Sequence, residues 1–219
     1  MALSGDDFYG PLIASQAMVD FFWNTYGFKD SSAAPTWHNG WGYEDPYNTN
    51  LPLARTFTAL YALTYSAPDW ENDAYTAPIL NFARRYVREN IDDLRALCGN
   101  GTAAAHAEHG PLVDDRVELY KDFWYTTVVA ERASTLLHEA RHMGGKGHNA
   151  NFPSWSIYTG SGADSNWDYD GAWAYETNYL WWFYTNGVNT TAAMKNIAKV
   201  QGNFMIHNCL ATMPPFIIV

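Results

Sequence analysis

Two histidines four residues apart, followed by two glycines and a third histidine, constrain this chain more than anything else in it. The stretch His138-Glu139-Ala140-Arg141-His142-Met143-Gly144-Gly145-Lys146-Gly147-His148 reads HExxHxxGxxH. On a helix, positions 138 and 142 share a face, so two imidazoles can converge on one divalent ion. Glu139 then lies beside that ion without binding it, where a carboxylate can take a proton from water. Gly144 and Gly145 allow a helix stop at positive φ, and the turn can return His148 as a third nitrogen ligand. Three protein ligands leave a fourth position open, which separates a catalytic zinc site from a closed structural one.

An HExxH string alone arises by chance in roughly one chain in a hundred of this length; the added glycine and histidine make it rarer by a factor on the order of a thousand. The stretch resembles the zinc signature of the metzincin metallopeptidases. That resemblance implies His138, His142 and His148 as zinc ligands, Glu139 as general base and Gly145 as the turn glycine. A weaker similarity links Gly162 to Gly171 to the GTxDxxYG segment of the aspzincins, in which Asp164 would match a zinc-ligating aspartate, with Trp167 in place of the tyrosine. In a gluzincin-like arrangement Glu176 would be the third ligand instead. His148 is the expected ligand, with Asp164 and Glu176 left open. The methionine turn that metzincins place beneath zinc would fall at Met213, or failing that Met205.

Apolar spacing predicts helices over 11–26, 51–66, 78–98, 114–142, 172–186 and 190–209. On the long helix to His142, Glu131 falls two turns before His138 and is a candidate to accept the other ring N–H of a ligand histidine. Residues 29–52 read as a loop carrying the aromatic cluster Trp37 to Tyr43, and His106 and His109 fall in a second loop. The helix over 172–186 is apolar nearly all round, which predicts a central position and makes Glu176 a costly buried carboxylate unless paired. Six helices and almost no period-two alternation predict a mainly α, zincin-like domain built on a long active-site helix, with at most a small β-sheet that periodicity conceals. Metzincins begin with a twisted sheet, and no strand series stands out before residue 114. A single catalytic domain over 1–219 is expected, its N-terminal part helical to about 113.

With ten Trp, fifteen Tyr and eleven Phe, the chain has aromatic surface enough for a groove as well as a core. A net charge of -10 argues against nucleic acid as partner, and no run of eighteen apolar residues predicts a membrane span. The start, Met1 to Asp7, lacks the basic and apolar regions of a signal peptide; secretion with a leader already removed is preferred over the cytoplasm. Cys98 and Cys209 allow one bridge or two free thiols.

The expected function is a zinc-dependent metallohydrolase, a peptidase acting on peptide or protein substrates, with Glu139 as general base. Oxyanion donors are sought among Tyr158, Tyr169, Tyr175, His109 and His207. An iron oxygenase or peptide-modifying enzyme using Glu176 or Asp164 as third ligand is the alternative, and a non-catalytic, zinc-braced binding module the second.

Overall fold

The computed structural model describes residues 16–30, 41–42, 45–65, 77–97, 103–110 and 113–217. Helix α1 (Gln16–Thr25) leads through Gly27 into strand β1 (Phe28–Asp30). Gly27 sits at φ 54, and a side chain there would run into the Asp92 carbonyl, so only glycine lets this turn lie against the chain entering the next strand. Helices α2 (Pro52–Tyr65) and α3 (Ala77–Asn90) follow, then β2 (Leu94–Ala96), β3 (Ala105–Gly110), β4 (Val113–Leu119) and the short α4 (Lys121–Tyr125). Helix α5 (Val129–Met143) carries the two leading motif histidines. After it come a two-stranded hairpin, β5 (Ala150–Asn151) with β6 (Ser161–Ala163), a 3-10 turn at Trp167–Tyr169, and the helices α6 (Ala172–Asn186) and α7 (Ala192–Cys209).

Mainly α with a small sheet is the observed class, but three predicted segments are corrected. The continuous helix over 114–142 is instead β4, α4 and α5. Val117 and Leu119 are fully buried, while Arg116 and Glu118 between them turn to the other face and pair at 2.9 Å, an alternation too short to stand out in seven residues. The β-branched run Thr126-Thr127-Val128-Val129 then disfavours helix between α4 and α5, and Val128 is extended at φ -85, ψ 168. The helix over 78–98 ends at Asn90, and Leu94 and Ala96 are buried as strand residues instead. His106 and His109 lie on β3 rather than in a loop.

Strand order is β1-β2-β4-β3, with β1, β2 and β4 parallel and β3 antiparallel at the edge. Leu94 pairs with Phe28 on one side and Val117 on the other; Ala105 and Ala107 pair with Leu119 and Val117. The region before residue 114, expected to be helical, therefore supplies three of the four strands. Asp93, buried at the mouth of β2, is held by Lys29 at 3.0 Å and Arg95 at 2.8 Å. β3 lies alongside α5, which packs between α2, α3 and α6.

One apolar core runs from Val19 of α1 to Ala198 of α7. At its sheet end Trp41 is fully buried among Trp23, Phe28 and Trp124, and its indole donates to the Lys29 carbonyl at 3.1 Å. Trp41 belongs to the predicted aromatic cluster and is a core residue; residues 37–40 and Tyr43 lie outside the described residues. Helix α6 is central as its composition requires, contacting α5 on one side and α7 on the other. Among the described residues no helix is long and apolar enough to cross a membrane. Cys209 is a buried free thiol, and Cys98 lies outside the described residues.

Candidate metal centre

Helix α5 ends where the motif needs it to. Gly144 closes the last turn and Gly145 takes φ 86, which carries the chain back so that His148 meets the two helical histidines. The rings of His138, His142 and His148 lie with centroids 4.6 to 5.3 Å apart, and one nitrogen from each falls within 4.8 Å of the other two. His148 completes the cluster; Asp164 and Glu176 do not.

Both rival carboxylates stand behind the histidines instead. Glu176 Oε2 on α6 meets His138 Nδ1 at 2.9 Å, and Ser134 donates to its other oxygen at 3.2 Å. Asp164 Oδ1 meets His148 Nδ1 at 2.9 Å, and its Oδ2 accepts the backbone N–H of Trp173 at 3.1 Å. The Lys146 carbonyl meets His142 Nδ1 at 2.7 Å. Every Nδ1 thus faces an acceptor, an arrangement that favours the proton there and leaves Nε2 bare to face forward. His138 Nε2 and His142 Nε2 are only 3.1 Å apart. Two lone pairs that close repel unless a cation lies between them, so the donor set fits a divalent metal ion. The set offers three imidazoles, and among the described residues no carboxylate joins it in the way the iron alternative required.

Burial, with His148 beside it, lowers His138 to about 3, and burial with His138 beside it lowers His142 to about 3. Both are therefore neutral at physiological pH, the form that binds metal. Glu139 is buried and raised to about 8, first by desolvation, then by the charge of Glu176; the backbone N–H of Ala107 on β3 opposes this by hydrogen bonding the carboxylate. Glu176 is raised to about 7, chiefly by burial. A dication at the histidines would draw Glu139 back toward its ionised form.

The centre opens onto a cavity of about 810 Å³ walled by α5 on one side and residues 103–107 of the β3 segment on the other. Tyr158 and His109 line it; Tyr169, Tyr175 and His207 do not. Tyr169 instead donates to the Gly147 carbonyl at 2.7 Å, and Tyr175 stacks under the Arg141 guanidinium. His109 is paired with Asp115 at 2.7 Å. Met205 lines the cavity, whereas Met213 is exposed near the chain's end.

Glu131, expected to orient a histidine, does not; its Oε2 accepts the Val128 N–H at 2.8 Å and caps α5. The orienting residue is Glu176, whose burial in an otherwise apolar helix was the available signal. Trp173 carries no sequence signal of a place at the site. Its ring stacks on His148 at 5.5 Å and 16°, stands edge-on to His138 at 4.4 Å, and is pinned by its indole N–H to the Gly162 carbonyl. One aromatic residue among many in α6 gave no hint of this. Comparison of the chain with protein-family models, curated proteins and solved structures yields no match.

Proposed function

We propose that this protein is a zinc-dependent metallohydrolase that cleaves peptide bonds. The observation that carries the reading is the convergence of one ring nitrogen from each of three histidines, each with its Nδ1 engaged, beside a buried carboxylate that lines the same cavity. His138, His142 and His148 would hold zinc, which when bound polarises a carbonyl and acidifies water. Glu139 accepts the proton as the water oxygen attacks the carbonyl carbon, and returns it to the amine nitrogen as the C–N bond breaks. The Ala107 N–H aims that carboxylate. Asp164 and Glu176 keep two of the histidines in the tautomer that faces the metal. Peptides are favoured over small substrates because β3, the edge strand of its sheet, borders the cavity, so an extended chain can pair with its backbone. Tyr158 is the tyrosine available to donate to the developing oxyanion.

The test is Glu139→Gln. Elemental analysis should find zinc retained at one equivalent, while cleavage of casein-derived peptides falls by about 10²- to 10⁴-fold. Full activity in this variant would overturn the general-base role, and wild-type protein without stoichiometric zinc would overturn the reading itself.

A further inference from the structure

We propose that the end of this cavity remote from the histidines recognises a basic side chain, lysine or arginine, next to the scissile bond, with Glu131 as the selecting residue. The inference rests on the peptidase reading. Glu131 and Thr135 continue the face of α5 that bears His138, Thr127 lies just ahead of the helix, and all three line the same cavity. Seven residues separate Glu131 from His138, roughly 10 Å of helical rise. An extended lysine or arginine side chain spans roughly 6 Å from Cα. From a residue held along this face between the histidines and Glu131, its charged end can reach the Glu131 carboxylate.

Charge favours that occupant. Glu131, Glu139 and Glu176 line the cavity, and no Lys or Arg lines it among the described residues. The neighbouring Arg132 is fully buried and directs Nη1 to the Thr127 carbonyl at 2.6 Å. Glu131 uses Oε2 to cap α5, and among the described residues no donor meets Oε1. Burial, and then the charge of Glu176, raise its pKa against the opposing pull of the Val128 N–H and of Arg132, an energetic penalty that an incoming ammonium or guanidinium relieves. The opposite wall is Ala103, Ala104 and Ala105, which leaves room for a long side chain and offers it no competing charge. The chain's net charge of -10 steers cationic substrates toward the opening.

Lysine hydroxamate and norleucine hydroxamate share a metal-binding head and an aliphatic stem but differ in terminal charge. Titrated calorimetrically into zinc-loaded protein, the lysine compound should bind at least tenfold more tightly. Glu131→Gln keeps an acceptor for the Val128 N–H, so the helix cap survives; in this variant the preference should collapse with norleucine affinity unchanged. Peptides carrying Lys, norleucine or Glu at each position flanking the cleaved bond should follow that order in kcat/KM for wild type and lose it in the variant. Equal affinities in wild type, a preference that survives Glu131→Gln, or no binding of either compound would overturn the proposal. A charge preference without cleavage of any peptide would support the basic pocket and overturn the peptidase reading alone.

Discussion

Glu176 and Asp164 illustrate how little a residue's identity says about its distance from a metal. Each has the chemistry of a ligand, and each stands one atom layer behind, setting which imidazole nitrogen carries the proton. Glu176→Gln, which keeps the shape and discards the charge, should weaken zinc binding by about 10- to 100-fold in competition with a chelator. Gly171→Ala should act at a distance through the same route. A Cβ at Gly171 would collide with the Asp164 carboxylate, so His148 would lose its partner and zinc affinity should again fall by about tenfold or more. Gly145→Ala is the contrast, since no atom lies near its Cβ. It should cost only the strain of positive φ, about 1 kcal/mol in urea unfolding, with zinc affinity nearly intact. The motif's histidines, glutamate and glycine were all legible as a string because their spacing is a property of one helix and its exit turn. The carboxylates behind His148 and His138 come from residues 16 and 38 positions away, where spacing carries no geometry.

Among the elements, α6 and α7 were readable almost to the residue, since both are long and bounded by clear signals such as the Thr191 hydroxyl accepting from the Met194 N–H. The strands were not. β1 and β2 are three residues each, too short to display alternation, and β4 merges with α4 and α5 into one apolar pattern. Helix α5 begins at Val129 because Val128 cannot cap by its side chain and Glu131 supplies the reciprocal half of a capping box. Glu131→Ala should therefore lower unfolding stability by about 1 kcal/mol, whereas Glu131→Gln should stay within about 0.5 kcal/mol of wild type. Equal losses for the two would show that charge rather than the hydrogen bond secures the helix start.

At the scale of the whole molecule, the centre's ionisable groups govern the stability of the chelated protein. His138 and His142, lowered from 6.5 to about 3, refuse protons that the unfolded chain accepts, so stability falls as pH drops below about 6.5. Glu139 and Glu176, raised from 4.5 to about 8 and about 7, hold protons that the unfolded chain releases, so stability also falls as pH rises above about 4.5. The two pairs offset one another in between, and urea midpoints after chelation should be highest near about pH 5.5. Restoring zinc to about 100 times its dissociation constant should add about 2.7 kcal/mol. Far from the histidine cluster, Trp41→Ala should cost about 3–5 kcal/mol, because it empties the fully buried junction of α1, β1 and α4. A small change in unfolding midpoint would contradict the packing described for that corner.

By itself the sequence determined the histidine string, the helical class and the place of α6 at the centre, because each depends on neighbours within a few turns of one another. Only the tertiary structure decided that a mixed sheet stands against α5, that His148 rather than a carboxylate completes the cluster, and that Glu176 reaches His138. Those outcomes depend on pairings between distant segments, which burial and hydrogen-bond satisfaction select and which no local period encodes.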